Sequence, residues 1–182
     1  TSINSYLTAS GGVLGPNYTW TIITGPANGT LSGFSATAPI GASVSPSGTT
    51  YQPTGGFSGT DAFVIQVSDG ATTATTTINV TVNPVPNVSN FSTSAANPCQ
   101  GTGASMTINS TTLPAGTYNV TYNLVGANSA TGVVGSVTMA ANTGTFTTSS
   151  LSNTGATTII ITSMTNASGC SSTVSIGNVA GF

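Results

Sequence analysis

The chain has 182 residues, with no Lys, Arg, His or Glu, only two Asp, and a net charge of −2. Nearly every side chain that serves acid-base, metal or phosphate chemistry is missing. Nucleic acid and anionic membrane surfaces, which are held through Lys and Arg, are excluded as direct partners. Roughly a third of the residues are Ser or Thr and Gly is abundant, a composition that favours strands and turns over helices. Disorder needs low hydrophobicity joined to high net charge, and this chain combines 37% hydrophobic residues with almost no charge. No apolar run approaches the 18 or so residues that cross a bilayer, so direct membrane insertion is not expected. Neither a charged nor an apolar leader region follows Thr1, which reads as a fragment of a mature exported protein.

Period-two alternation dominates from the start of the chain. Tyr18, Trp20 and Ile22 alternate with Thr19 and Thr21; Phe63, Ile65 and Val67 with Val64 and Gln66; Ala74, Thr76, Ile78, Val80 and Val82 with Thr75, Thr77, Asn79 and Thr81. Each run reads as a strand with one buried face. Ser68-Asp69-Gly70-Ala71 joins the last two, and Asp-Gly suits the positive φ values of a type I′ hairpin turn. Asn83-Pro84-Val85-Pro86-Asn87 follows, where two prolines end the strand and stiffen a linker. This places a boundary between a module at residues 1–83 and another at residues 84–182. The second half repeats the pattern: Met106 and Ile108; Tyr118, Val120, Tyr122 and Leu124; Val137 and Met139; Phe146; Ile159 and Ile161; Val174 and Ile176. Turns fall at Leu113-Pro114-Ala115-Gly116, Asn142-Thr143-Gly144 and Asn166-Ala167-Ser168-Gly169. The expected fold is all-β with essentially no helix, as two tandem immunoglobulin-like Greek-key β-sandwiches.

Thr24-Gly25-Pro26-Ala27-Asn28-Gly29-Thr30-Leu31-Ser32, Tyr51-Gln52-Pro53, Gly56-Phe57-Ser58-Gly59-Thr60-Asp61-Ala62-Phe63 and Val67-Ser68-Asp69-Gly70 stand in this order. The series resembles the bacterial Ig-like and cadherin-like tandem repeats of giant surface adhesins. In the second half, Asn97-Pro98-Cys99, the run from Leu113 to Tyr122, Gly144-Thr145-Phe146 and Ser168-Gly169-Cys170 are similar to repeats of Bacteroidota adhesins exported by the type IX system, including the gliding-motility adhesins of flavobacteria. The resemblance implies extracellular β-sandwiches at the cell surface, strung in arrays and partnered by neighbouring repeats. Such repeats often carry an acidic loop that suits calcium, but here that loop is Ala9-Ser10-Gly11-Gly12-Val13-Leu14-Gly15-Pro16. A hard cation takes six to eight oxygens, usually with several carboxylates, so calcium is not expected, nor any other cofactor. The chain also enters the pattern late, which implies a short or missing first strand whose edge a preceding module or another protomer covers.

Asp61 and Asp69 are the only carboxylates, and a strand of that length separates them by roughly 26 Å. Glycosidase carboxylate pairs lie about 5 to 9.5 Å apart, so both read as turn residues, Asp61 accepting backbone N–H bonds before its strand and Asp69 with Gly70 in the hairpin. Hydroxyl nucleophiles lack a neighbouring base, and without Lys no Lys-Asn isopeptide crosslink can form. The chain therefore reads as non-enzymatic. Cys99 and Cys170, an even pair in an exported protein, read as a disulfide closing a loop of about 70 residues, worth on the order of 4 kcal/mol; a zinc site would need two further ligands. Trp20 reads as core, while Tyr18, Tyr51, Tyr118 and Tyr122 are candidates for facing a sugar ligand. Three functions follow: an adhesive or structural stalk repeat, a carbohydrate-binding module for surface glycans, and a filament subunit pairing with like protomers through open sheet edges.

Overall fold

The computed structural model describes residues 1–12, 17–34, 37–41 and 43–180, with side chains described through Val174. The chain divides into two compact units, Thr1–Pro84 and Val85–Phe182. Each has its own apolar core. Among the described residues the helical structure is a single 3-10 turn, Asn4–Leu7, and all else that is regular is strand, as the β-branched composition dictates.

The first unit contains β1 (Asn17–Thr24), β2 (Gly29–Ser32), β3 (Thr37–Pro39), β4 (Thr50–Pro53), β5 (Gly59–Ser68) and β6 (Thr73–Val82). One sheet runs β3-β1-β5-β6 and the other pairs β2 with β4. Thr1 and Tyr51 exchange backbone hydrogen bonds of 2.9 and 3.0 Å, and Ser2 bridges Thr50. Residues 1–3 thus lie alongside β4 through an isolated bridge and these flanking bonds. The 3-10 turn then lowers Leu7 into the core, where its carbonyl accepts the Trp20 indole N–H at 3.0 Å. Tyr18, Trp20, Phe63 and Ile65 point inward as alternation requires. Ile22 keeps this parity opposite Ile65, but the register against β5 shifts immediately beyond it, between Ile22 and Thr24, and Ile22 and Ile23 are 42% and 55% exposed.

The second unit contains β7 (Phe91–Ala95), β8 (Gly103–Ser110), β9 (Gly116–Gly126), β10 (Ala130–Met139), β11 (Thr143–Ser150), β12 (Thr157–Asn166) and β13 (Ser171–Ala180). They form sheets β11-β8-β7 and β10-β9-β12-β13, all antiparallel. Seven strands split three and four, with connections crossing between sheets, make an immunoglobulin-like Greek-key sandwich. Met106, Ile108, Val120, Tyr122, Ile159 and Ile161 interdigitate between the layers, and Leu113 and Leu151 close the ends. Burying each such side chain contributes about 1.5–3 kcal/mol. A register shift between Ile161 and Ser163 turns Met164 inward where unbroken alternation would have placed Ser163. Gly144 permits the close approach of β11 to β10, because a Cβ there would lie 2.7 Å from Val137 Cγ2 and 2.8 Å from the Thr138 carbonyl oxygen.

Candidate functional site

The most elaborate polar constellation of the first unit is built on Asp61. As the third residue of β5 it shares the inward parity of Phe63 and Ile65, so its carboxylate is carried into the unit rather than toward solvent. Oδ1 accepts the N–H groups of Ala27 and Ala62, both at 2.9 Å, and Oδ2 accepts the Asn28 N–H at 2.9 Å and the Tyr51 hydroxyl at 3.0 Å. One carboxylate thereby binds the β1–β2 loop to β4 and β5. Its four acceptor positions are filled. Burial pushes its pKa up, but the bonds from Asn28, Ala27, Tyr51 and Ala62 favour the ionised form more, and the result lies below the ordinary carboxylate value. Tyr51 shifts the opposite way: burial raises its phenol, and its bond to Asp61 and that residue's charge raise it further.

Asp61 was expected to sit in a turn before its strand. It lies within the strand, and two of its partners come from more than thirty residues earlier in the chain. Tyr51, a candidate for facing a sugar, is instead the hydroxyl partner of Asp61 and stacks on Phe63 with ring centroids 5.9 Å apart. Asp69, at the far end of β5, is buried within the hairpin loop, where its Oδ1 accepts the N–H groups of Ala71 and Thr72 at 3.0 and 2.7 Å and the Thr72 hydroxyl at 3.1 Å. Ser68 pairs with Thr73, so the loop has four residues. Positive φ there is confined to Gly70, at +94°. The two-residue type I′ turn expected for Asp-Gly is thus replaced by a longer loop that the Asp side chain closes.

The four tyrosines considered for ligand contact are core residues. Tyr18, Tyr51, Tyr118 and Tyr122 are between 1% and 6% exposed. Their rings lie on the inward parity of their strands, and each hydroxyl meets a partner at the rim: Tyr18 accepts from Gly12 N–H at 2.7 Å, Tyr51 donates to Asp61, Tyr118 donates to the Pro114 carbonyl at 3.0 Å, and Tyr122 accepts from Ser149 N–H at 2.7 Å. The exposed tyrosine is Tyr6.

The expected disulfide is also overturned. Cys99 and Cys170 are not bonded to each other. Cys99 lies just before β8 at the end marked by Gly103, Ser150 and Leu151, whereas Cys170 lies in the β12–β13 turn, at the end where Ser172 Oγ donates to the Pro86 carbonyl. The length of β8 alone sets these ends roughly 23 Å apart, against the 4.4–6.8 Å between Cα atoms that a disulfide spans. Five strands, β8 to β12, separate the two cysteines. An odd number of antiparallel traversals always finishes at the opposite end, a signal already present in the strand count.

Of the linker residues, Val85, Pro86 and Asn87 belong to the second unit, with Val85 exposed and Pro86 buried. The Asn87 carbonyl accepts the Thr112 hydroxyl at 2.8 Å and its side chain accepts the Ser89 N–H at 3.1 Å. Of the loop at the calcium position of the repeats, residues 13–16 lie outside the described residues. Among the described residues no three His, Cys, Asp or Glu side chains gather, and no helix is long and apolar enough to cross a membrane.

One residue set escaped the sequence altogether. Asn128 and Thr157 are buried in the second unit. Asn128 Nδ2 donates to Thr157 Oγ1 and to the Asn153 carbonyl, both at 2.9 Å, and its Oδ1 accepts the Asn153 N–H at 2.9 Å. In a chain this rich in Asn and Thr, nothing local distinguishes them.

The fold and its polar ties thus define a pair of immunoglobulin-like sandwich modules whose carboxylates serve as internal fasteners. Residues 8–83 match the profile of the bacterial Ig domain family, which covers most of the first unit. No curated protein matches. Among solved structures, an endo-fucoidan hydrolase of glycoside hydrolase family 107 is similar over 90% of this chain and 23% of its own length, at 15% identity and a TM-score of 0.27. A superposition that loose carries no argument.

Proposed function

We propose that these two modules are a structural and adhesive repeat segment of a large extracellular surface protein, without catalytic activity and without a cofactor or calcium. The observation that carries this reading is the employment of both carboxylates at the two ends of β5: both oxygens of Asp61, and Oδ1 of Asp69, accept backbone N–H and hydroxyl donors. No general acid or base pair remains in a chain that also lacks His and Lys. The match of residues 8–83 to bacterial Ig domains supports a repeat exported from a bacterial cell. The finer assignment, to type IX-exported adhesins of Bacteroidota that serve gliding motility, rests on the motif resemblance. Neighbouring repeats of the parent chain are the expected partners, with distal regions making contact with surface glycans or other substrata.

Single-molecule extension of the 182-residue chain tests the mechanical role. Two separate unfolding events are expected, each releasing about 25–30 nm of chain at roughly 3.5 Å per residue, with forces that a calcium chelator leaves unchanged. One combined event, or a fall in force with chelator, would sink the reading. So would hydrolysis of a polysaccharide by the purified chain.

A further inference from the structure

An open sheet edge presents unpaired N–H and C=O groups to any passing strand, and folded proteins blunt such edges with short strands, prolines, charges or bulges. The edges here differ in how they are blunted. β3 has three residues and ends at Pro39, β2 has four, β7 has five, and the outer side of β4 is taken by residues 1–3. β10, β11 and β13 are longer, yet each shows a register shift against its neighbour. β6 has none of these devices. Its ten residues include no Pro and no charge, and its pairing with β5 runs unbroken from Ser68↔Thr73 to Gly59↔Val82. Among the described residues no strand or loop hydrogen-bonds to its other side.

The core is also thinly covered along this edge. Ile78, Val80 and Val82 face inward but stay half-buried, and Ala74 and Thr76 on the same face are exposed. A strand laid beside β6 would cover them.

We propose that the β6 edge pairs antiparallel with β6 of a second copy of this chain, about a twofold axis at Asn79. Two four-stranded sheets then become one continuous sheet. In this register Ile78 faces Val80 of the second copy, Thr76 faces Val82, and Thr77 faces Thr81, so every apolar position falls on the core side and, Thr76 apart, the hydroxyl positions fall on the solvent side. A twofold pair sets residues near the axis against themselves, so any charged edge repels its own image. A neutral, β-branched strand is suited to a copy of itself. Among the described residues each chain carries one such edge and an isologous contact consumes it, so association closes at a dimer instead of growing into a filament. The proposal is independent of the stalk reading: pairing sets how neighbouring stalks associate side by side, whereas the stalk reading concerns extension of one chain.

Sedimentation velocity of the 182-residue chain from micromolar to millimolar concentration, for the wild type and Asn79→Lys, tests this. Asn79 is exposed, so the variant is expected to keep the wild-type circular dichroism and melting. The expected result is a reversible monomer–dimer equilibrium that the facing lysines weaken by at least about fivefold. Hydrogen exchange supplies a second measurement on the unaltered protein, in which amides of Thr73–Val82 gain protection as concentration rises. A chain that remains monomeric into the millimolar range overturns the proposal. So does a dimer whose β6 amides gain no protection, or one that Asn79→Lys leaves intact. None of these results bears on the two-event extension test, which fails or succeeds separately.

Discussion

Both units must fasten a long connection to the ends of their sheets, and they do so with different chemistry. In the first, the Asp61 carboxylate gathers three backbone N–H groups and the Tyr51 hydroxyl. In the second, which contains no Asp at all, the Asn128 amide holds the Asn153 backbone and Thr157. A carboxylate accepts from several donors at once and, being charged, makes stronger bonds. An amide both donates and accepts, so it joins a carbonyl, an N–H and a hydroxyl with one group. The first solution ties stability to proton concentration and the second does not.

Removing the fasteners one at a time gives the largest effect. Asp61→Ala leaves three N–H groups and a buried phenol without their acceptor, and the first unit's melting temperature is expected to fall by more than about 10 °C. Calorimetry should show the second unit's transition unmoved; an equal shift in both would refute the independence of the two ties. Next comes Asn128→Ala, which strands the Thr157 hydroxyl and the Asn153 backbone and is expected to cost the second unit about 2–3 kcal/mol, read as a lower denaturant midpoint of that transition alone.

Acid separates the units without mutation. Asp61 titrates lower in the folded chain than in the unfolded chain, where a carboxyl titrates near about 3.9. Its contribution is therefore complete above that pH and drains away as pH falls through the folded value. Melting curves between pH 7 and about pH 2 should show the first transition falling and the second flat. At the alkaline end the contrast disappears. Burial raises Tyr118 in the second unit as burial and Asp61 raise Tyr51 in the first, so each unit holds this contribution below about pH 10 and loses it above. A second unit that also weakens in acid would contradict the comparison.

The smallest effect is expected from a reductant. With Cys99 and Cys170 at opposite ends of their sandwich, dithiothreitol should leave both transitions where they are, and a thiol reagent should label the exposed Cys99 in the native protein. A melting temperature that drops on reduction would restore the crosslink.

Much of this architecture is legible in strand periodicity. Tyr18, Trp20, Phe63 and Ile65, and Tyr118 through Leu124, lie on the faces that alternation assigns, because a pleated strand turns every second side chain the same way. Legibility fails where the period breaks. Ile22 stays 42% exposed where the register shifts just beyond it, and Met164 takes the place of Ser163 after another shift, and no residue in either stretch marks the irregularity. The aromatic assignments failed for another reason: a tyrosine on an alternating strand is equally compatible with a sugar platform and with a core residue whose hydroxyl reaches the rim. Only the opposing sheet distinguishes them.

The sequence by itself determined the fold class, the proline-marked passage between modules and the poverty of reactive groups, since composition and a two-residue period act locally and need no knowledge of distant contacts. Tertiary structure decided what two strands' worth of sequence could not, namely which ends of the sandwich the cysteines reach and which distant amides fill the Asp61 carboxylate. Those outcomes depend on the direction of each traverse and on loops meeting across the layers. Such contacts form between residues dozens of positions apart and leave no mark in either segment alone.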